Sequence, residues 1–360
     1  MGNAMTEPYR QPGGEDTGSR KAEHIRICLE EQVESRSSGG AGFDRYRFEH
    51  EALPELDWQE VDLSASWLGR KLKAPLLVSS MTGGTDEAGR INRGLAEAAQ
   101  ARGWAIGLGS MRAAWEKPEL AASFEIRRDA PDVPIIANVG AVQLNYGLDA
   151  DACRRLVEMA EADALVLHLN ALQEVFQPEG DTNFRGLLRL IETVCRSSGV
   201  PVGVKEVGWG LSAATAERLA DAGAAFIDCA GAGGTSWSQV EKHRARSRLH
   251  AEAADAFADW GIPTAECVPA IRLRLPQATL IASGGLRSGV DAAKAIALGA
   301  DLAGFGRLLL PDAASGSDAA RNIAARMEQI EFELRTAMFA TGSGTLRELA
   351  QGDKLKPVRL

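Results

Sequence analysis

Eight short apolar runs recur along this chain, and they constrain its fold more than any other feature. The first run, Pro75 to Ser80, precedes a segment in which Ile91, Leu95 and Ala98 recur at the spacing of one helix face. The other runs are residues 104–108, 134–138, 164–170, 201–206, 225–229, 280–283 and 301–305. Apolar strands that alternate with helices form a parallel sheet, and eight such units close into a barrel. The sequence therefore predicts the α/β class and a (β/α)8 TIM barrel.

The same pattern divides the chain into four parts. Residues 1–19 are polar and rich in Gly and Pro, so we expect a disordered tail or one added for expression. Residues 20–74 form an N-terminal extension with a helix start at Ser19, then loop and short strands. The barrel is predicted over residues 75–316. Residues 317–360 hold a long amphipathic helix and a tail that crosses back over the barrel or a neighbour.

Composition excludes several classes of protein. The 40 basic residues are outnumbered by 49 acidic ones, which gives no general electrostatic support for nucleic-acid binding. The five cysteines lie far apart without a C-x-x-C pair, which argues against a zinc site and a disulfide framework. No apolar run has the length of a membrane span, and no signal-peptide pattern is present. We therefore expect a cytoplasmic protein with no membrane insertion and no nucleic-acid partner.

Glycines follow the last two apolar runs and favour a phosphate site. Gly284 and Gly285 follow the seventh run, and Gly306 and Arg307 follow the eighth. Backbone N–H groups in glycine turns can approach an anion closely, and the loops after strands seven and eight of a TIM barrel often bind phosphate. Two tight turns without a ligand are the alternative interpretation.

Polar side chains follow the other runs, at the edge that carries the active site in TIM barrels. Lys205 lies inside an apolar run, where burial of an ammonium costs free energy, so we expect it to face an anion or an electron-rich cofactor. An ion pair with Glu206 is the alternative. His168, which could be a core histidine, is followed by Glu174, and Mg²⁺ is commonly held by one carboxylate and substrate phosphates.

Eight motifs in a fixed order resemble the type II isopentenyl diphosphate isomerases, which depend on FMN. The motifs are Arg20-Lys21-x-x-His24, Ser80-Met81-Thr82-Gly83-Gly84, Gly109-Ser110, Ala137-Asn138-x-Gly140-Ala141, His168-Leu169-Asn170-x-x-Gln173-Glu174, Val204-Lys205-Glu206-Val207-Gly208, Gly233-Gly234-Thr235-Ser236-Trp237 and Ser283-Gly284-Gly285-x-Arg287. One motif alone would be weak evidence, because other FMN barrels share the glycine turns. Together the motifs cover the chain from Arg20 to the C-terminal tail.

The resemblance implies an enzyme of isoprenoid biosynthesis that interconverts isopentenyl diphosphate and dimethylallyl diphosphate. It also implies three cofactors, namely FMN, Mg²⁺ and NADPH as the reductant of the flavin. Reduced FMN would act as the acid/base cofactor, with N5 as the proton donor and acceptor. The protein would be a homotetramer or larger.

The resemblance further assigns roles to residues. FMN would be bound by Ser80, Met81, Thr82, Ser110, Asn138, Lys205, Thr235, Gly284, Gly285, Gly306 and Arg307. The small-molecule diphosphate substrate would be bound by Arg20, Lys21, His24, Arg112, Asn170 and Gln173, so residues 20–74 would clamp it. Glu174 would hold Mg²⁺, and Gln173 and His168 would be the catalytic side chains.

One residue departs from the family pattern, and two other functions are open. Family members commonly have Gln where this chain has Met111, which cannot donate a hydrogen bond to a diphosphate. An FMN-dependent 2-hydroxy acid oxidase or dehydrogenase would need a His followed by Gly and Arg after a late strand, and the late turns contain no His. A non-catalytic flavin-binding barrel is favoured only by Met111, and the retained Gln173 and Glu174 argue against it.

Overall fold

The computed structural model describes residues 17–37 and 39–358, so most of the tail predicted at residues 1–19 lies outside the described residues. The strands are β1 (Tyr46–Phe48), β2 (Ala65–Trp67), β3 (Arg70–Leu72), β4 (Leu76–Val78), β5 (Ala105–Gly107), β6 (Ile135–Gly140), β7 (Ala164–His168), β8 (Val202–Lys205), β9 (Phe226–Asp228), β10 (Thr279–Ser283), β11 (Leu302–Phe305) and β12 (Leu355–Pro357). The helices are α1 (Thr17–Glu30), α2 (Asp86–Arg102), α3 (Arg112–Glu116), α4 (Ala150–Met159), α5 (Ala171–Phe176), α6 (Leu187–Ser197), α7 (Ala213–Asp221), α8 (Trp237–Arg244), α9 (Arg248–Asp255), α10 (Thr264–Arg274), α11 (Gly289–Ala297), α12 (Leu310–Ala313), α13 (Ala319–Phe339) and α14 (Leu346–Gln351). Short 3-10 helices lie at Phe43–Arg45, Trp58–Glu60, Pro118–Ser123, Ala141–Tyr146, Arg307–Leu309 and Gly316–Asp318.

Strands β4 to β11 form a closed parallel barrel in chain order, with β11 paired to β4. Each of the eight predicted apolar runs overlaps one of these strands, so the predicted TIM barrel is confirmed. Successive side chains of a strand point to opposite sides, and both sides are buried here. Leu76 and Val78 pack outward in the layer between strands and helices, whereas Leu77 packs in the barrel interior.

The barrel interior is narrow and is filled by side chains. A Cβ placed on Gly203 would lie 2.1 Å from the ring of Phe226, so a glycine is needed beside that ring. Trp67, on the hairpin of β2 and β3, packs edge-on against Phe226 with ring centroids 5.2 Å apart. The hairpin closes the end of the barrel where the strands begin, because Arg70 on it is bonded to Asp163, which directly precedes β7.

The N-terminal extension covers the opposite end, where the strands finish. Helix α1 reaches the loop after β5, where Lys21 Nζ donates to the carbonyl of Ser110. The segment after α1 is held by a β-bridge between Glu34 and Thr235, in the loop after β9. The C-terminal tail returns to this extension rather than to the barrel, because β12 pairs antiparallel with β1.

The long C-terminal helix packs on the barrel of its own chain. Helix α13 presents a buried apolar stripe that includes Ile323, Ile330 and Leu334, and it lies against α2 and α11. Its amphipathic pattern is thus accounted for within one chain. Among the described residues, no helix has both the length and the apolar character needed to span a membrane.

Candidate functional site

A cavity of about 220 Å³ opens at the carboxyl ends of the barrel strands, under α1. The topology explains its position, because parallel strands that close into a barrel end at one common face. Nearly all residues assigned from the sequence line this cavity: Arg20, Lys21, His24, Ser80, Met81, Thr82, Ser110, Arg112, Asn138, His168, Asn170, Gln173, Glu174, Lys205, Thr235, Gly306 and Arg307. The cavity thus joins the predicted substrate-binding, cofactor-binding and metal-binding residues.

The basic cluster of α1 forms one wall of the cavity. Lys21 is buried, and this burial, together with the nearby Arg20 charge, lowers the pKa of its ammonium to about 7. Burial, and then the Arg112 charge, also lower the pKa of Arg20. Cations that are packed so closely that the pKa values of Arg20 and Lys21 are lowered indicate a site for an anionic ligand.

Glu241 on α8 is a buried carboxylate that the sequence analysis did not single out. Its Oε1 lies 3.0 Å from His24 Nε2 and accepts a bond from Gln173 Nε2, and its Oε2 accepts one from Arg244 Nη1. Burial favours the neutral acid, but the His24 and Arg244 contacts prevail and lower the pKa of Glu241. The carboxylate therefore stays charged and ties α1 to α5 and α8. The sequence signal that could have identified Glu241 is its position one helical turn after Trp237, the last residue of one of the eight motifs.

His168 stands at the end of β7 as a neutral imidazole. Burial, and then the charges of Lys205 and Lys21, lower its pKa to about 3. Its Nδ1 lies 2.9 Å from Asn138 Oδ1, and Asn138 Nδ2 donates to the carbonyl of Leu108. Because the Asn138 side chain turns its Oδ1 towards the imidazole, His168 donates through Nδ1, and its Nε2 is left as a hydrogen-bond acceptor.

Asn170, Gln173 and Glu174 are brought together by the first turn of α5. Asn170 Nδ2 donates to Glu174 Oε1 at 2.7 Å, and the backbone N–H of Asp181 donates to Glu174 Oε2 at 2.7 Å. Burial nevertheless raises the pKa of Glu174, since these two bonds only partly offset the loss of water. A cation beside this carboxylate would remove the penalty. Within the described residues, no group of three or more His, Cys, Asp or Glu side chains could hold a metal by itself.

Lys205 lines the cavity from the end of β8, as expected for a lysine that faces a ligand. Among the described residues, the alternative ion pair between the Lys205 and Glu206 side chains does not form. Glu206 Oε2 instead accepts three backbone N–H bonds from Val207, Gly208 and Trp209, and burial raises its pKa to about 7. Lys205 lies beside Asp228, its register partner on β9, and the charge of the lysine acts against the burial that raises the pKa of this aspartate.

The two glycine turns differ in their relation to the cavity. Gly306 and Arg307 line it, whereas Gly284 and Gly285 do not. Gly284 has a positive φ of 97°, and a Cβ on it would lie 2.1 Å from the carbonyl oxygen of Gly231. The tight packing of this turn against the loop after β9 therefore requires glycine even without a ligand. Arg307 donates to Glu34 Oε1 at 2.7 Å, which joins the cavity wall to the segment after α1.

Met111 does not contact the cavity. Its side chain is fully buried in the main apolar core, and its backbone N–H donates to the carbonyl of Asn138. The family pattern predicts that the residue at this position contacts the substrate diphosphate. The structure places the Met111 side chain inside the core, so the charged contact at this place falls to Arg112.

Two buried oxygen atoms in the cavity wall lack hydrogen-bond partners. Thr82 Oγ1 and Asn170 Oδ1 are inaccessible to solvent and bond to none of the described residues. Buried polar atoms are nearly always hydrogen-bonded in native proteins, so unsatisfied atoms at a cavity indicate a missing ligand. The cavity wall combines polar atoms, cations and the apolar side chains of Met81 and Trp237, a set that fits a flavin and a diphosphate.

Comparisons with known proteins identify the family of the chain. A family model described as FMN-dependent dehydrogenase matches residues 170–355, just over half of the chain. An isopentenyl-diphosphate delta-isomerase of Nostoc sp. is 53% identical over 94% of this chain and 96% of its own length. The isomerase of Oceanobacillus iheyensis is 51% identical over 92% of this chain and 93% of its own length.

Solved structures support the fold. A mandelate oxidase variant with a monooxide FMN adduct has a TM-score of 0.63 at 19% identity, covering 93% of this chain and 92% of its own. Because that identity is low, this similarity bears on the fold alone, and the family follows from the sequence relatives. With about half of its residues identical to those relatives over nearly their full length, the chain belongs to the FMN-dependent isopentenyl-diphosphate delta-isomerase family.

Proposed function

We propose that this enzyme interconverts isopentenyl diphosphate and dimethylallyl diphosphate at the cavity under α1, using reduced FMN and Mg²⁺ in isoprenoid biosynthesis. The observation that carries the proposal is the division of the cavity wall into two parts. Arg20 lies near Arg112 and Glu174, and Lys205 and the unpartnered Thr82 Oγ1 lie at or just after the ends of barrel strands. A diphosphate and a flavin would satisfy the two parts separately.

The residues of α1 and α3 would bind the diphosphate. Arg20 and Arg112 remain charged at neutral pH, and Lys21 would become fully protonated beside a diphosphate, because an anion stabilises its charged form. Glu174 would hold Mg²⁺ against the same phosphates, since its charge is poorly compensated without a cation. The enclosure by α1 would keep water from the reacting carbons.

FMN would lie on the ends of the barrel strands. Ser80, Met81, Thr82, Ser110, Asn138, Lys205 and Thr235 would contact its ring system, and Gly306 and Arg307, with the turn at Gly284 and Gly285, would surround its phosphate. When bound and reduced by NADPH, FMN would supply the proton donor and acceptor for the shift of the double bond. Gln173 and His168 would orient the allylic carbons. The neutral His168 presents an acceptor nitrogen and carries no proton to donate from Nε2.

We further propose that the enzyme is cytoplasmic and is a homotetramer or larger. The oligomeric state and the substrate-clamping role of residues 20–74 derive from the family resemblance. The cytoplasmic location and the division into a tail, this extension, the barrel at residues 75–316 and the C-terminal part derive from the sequence pattern. Light scattering on the purified protein would determine the oligomeric state. A monomer would contradict this part of the proposal without affecting the chemistry.

The decisive experiment begins with an absorbance spectrum of the purified protein, which reveals bound flavin. Anaerobic reduction with NADPH is followed by addition of Mg²⁺ and isopentenyl diphosphate, and dimethylallyl diphosphate is measured by chromatography. We expect product only with reduced flavin and no net consumption of NADPH. Lactate and mandelate are tested in parallel with oxygen, and their oxidation without isomerisation would favour the 2-hydroxy acid oxidase instead. Bound flavin without turnover of any of these compounds would favour the non-catalytic barrel.

A further inference from the structure

Asp181 lies directly behind the cavity wall, in the loop after α5, and does not itself line the cavity. It nevertheless contacts three residues that do. Its Oδ2 accepts a bond from Arg112 Nη1 at 2.7 Å and another from Gln143 Nε2 at 3.0 Å. Its backbone N–H donates to Glu174 Oε2. We propose that Asp181 is a positioning residue that joins the diphosphate-binding Arg112 to the metal-binding Glu174.

The loop is built to hold Asp181 close to Glu174. A Cβ on Gly180 would lie 1.7 Å from the carbonyl oxygen of Glu174, so the chain passes too close to α5 for any other residue. The N–H of Gly180 donates to the carbonyl of Gln177, which closes the turn. The backbone of residue 181 is therefore fixed relative to Glu174 before any ligand binds.

The Asp181 side chain fixes the direction of Arg112. The guanidinium is held by two carboxylates, through Nε to Glu116 and through Nη1 to Asp181. A planar guanidinium held at two of its nitrogens has its orientation set, and its remaining N–H groups are then available to an anion. Arg112 loses little side-chain entropy when a diphosphate binds, because it is already ordered.

This inference rests on the proposed function in one respect, namely that the anion in this part of the cavity is a diphosphate with a divalent cation. The carboxylate of Asp181 opposes anion binding by its charge and favours it by ordering Arg112 and Gln143. Oδ2 of Asp181 accepts hydrogen bonds from both Arg112 and Gln143, so the carboxylate orders these two side chains directly. We therefore expect the favourable ordering to outweigh the unfavourable charge.

The test compares Asp181→Asn with Asp163→Asn in FMN-loaded protein. Asp163 is a matched control, because its side chain is 17% exposed like that of Asp181 and also bonds to an arginine, yet it lies at the opposite end of the barrel. Calorimetry measures the binding of inorganic pyrophosphate in the presence of Mg²⁺. Asp181→Asn keeps the backbone N–H to Glu174 and removes the charge that holds Arg112.

We expect Asp181→Asn to weaken pyrophosphate binding about tenfold, the size of one lost charge-assisted hydrogen bond, while Asp163→Asn leaves it unchanged. In turnover, KM for isopentenyl diphosphate should rise by a similar factor with kcat nearly constant, a split that general damage to the fold would not produce. If Asp181→Asn does not fold, Asp181→Glu, which displaces the carboxylate by one methylene, carries the same expectation.

Unchanged or tighter pyrophosphate binding by the folded Asp181 variant would overturn the inference, as would equal weakening by Asp163→Asn or absence of pyrophosphate binding in the unmodified enzyme. The proposed function is judged separately. If the unmodified enzyme binds pyrophosphate through Asp181 but does not isomerise isopentenyl diphosphate, the positioning role stands and the isomerase function fails. If it isomerises and Asp181→Asn behaves like the unmodified enzyme, only the positioning role fails.

Discussion

At the end of the barrel where the strands begin, two aspartates are each bonded to an arginine and to a strand N–H, whereas at the end where the strands finish, charges are crowded and two buried oxygens lack partners among the described residues. Asp163 precedes β7, accepts the N–H of Ile135 and binds Arg127, whose guanidinium also donates to four backbone carbonyls. Asp301 precedes β11 and repeats this arrangement with the N–H of Leu280 and with Arg272. The sequence contains both pairs, but their partners lie far apart along it.

The contrast shows how one fold separates stability from activity. At the end where the strands begin, the ion pairs of Asp163 and Asp301 can form permanently, because no ligand has to enter there. The cavity end holds Lys21, Glu174 and Glu206, each with a pKa displaced by burial towards the neutral form. Such groups cost stability in the empty protein and gain it when a ligand of opposite charge binds. Substitutions at the two ends should therefore affect different measurements.

The largest effect is expected for Glu174→Gln. A neutral amide is a poor Mg²⁺ ligand, so turnover should fall by about a hundredfold or more, with the shortfall reduced at high Mg²⁺. Bound FMN should be retained, because the carboxylate is not assigned to the flavin. Initial rates across a range of Mg²⁺ concentrations and the flavin absorbance of the purified variant measure the two results. Normal turnover by this variant would remove Glu174 from the mechanism.

Asp163→Asn should produce the opposite pattern. The Arg127 guanidinium would lose its carboxylate partner at a mostly buried position, which should lower the free energy of unfolding by about 2 kcal/mol. KM and kcat should be unchanged, since the residue lies at the far end of the barrel. Urea denaturation with the flavin signal and steady-state kinetics provide the two readings. A change in KM without a loss of stability would refute the separation of the two ends.

Lys205→Ala tests the cavity end from the cofactor side. Removal of this ammonium would leave Asp228 buried without its neighbouring cation and would withdraw a positive charge from the flavin site. We expect FMN to be retained about tenfold more weakly or its absorbance bands to shift, as for the loss of one charged contact. Equilibrium dialysis of FMN and a spectrum of the loaded protein measure these outcomes. Lys73→Ala, on the outer surface, is the control that should alter neither.

The pKa of Lys21 gives a fourth prediction, concerning pH. The pKa lies at about 7 because of burial and the Arg20 charge, and a bound diphosphate would raise it. Binding therefore takes up a proton above pH 7, and affinity should weaken by up to about tenfold per pH unit as pH rises from 7. Calorimetric titration with pyrophosphate at several pH values tests this. Lys21→Arg should flatten the profile, because arginine stays charged. An equally steep profile in that variant would assign the dependence to another group.

The fold could be predicted almost entirely from the sequence. Each barrel strand is buried on both sides over most of its length, so it appears as a mainly apolar run such as residues 164–167, and eight such runs admit few arrangements. The cavity residues at the strand ends were predictable for a related reason, since strand ends in a parallel barrel meet at one face, whereas those on α1 were assigned through the family resemblance. Short strands that plug the barrel could be anticipated before residue 75, but the end that the β2–β3 hairpin covers could not, because its contact with Phe226 depends on three-dimensional packing alone.

The supporting residues of the site were harder to predict than the wall. Glu241 and Asp181 are far in sequence from Gln173 and Arg112, which they contact, and acidic residues of this kind also occur on solvated surfaces. Only the closing of the loop at Gly180 and the docking of α8 bring them to the wall. Met111 shows the reverse case, in which a motif position adjacent to functional residues turns out to point into the core.

Met111→Gln is the variant from which we expect the smallest effect on binding. It compares a core residue with the cavity-lining residues at the same end of the barrel. The side chain is fully buried among apolar residues and does not reach the cavity, so a glutamine there cannot contact the diphosphate without displacing α3. Pyrophosphate affinity should change by less than about twofold, whereas burial of an amide should lower the unfolding free energy by about 1–3 kcal/mol. Calorimetry and urea denaturation of the same preparation separate the two quantities. A clear gain in affinity would mean that α3 rotates when ligand binds and that position 111 belongs to the site after all.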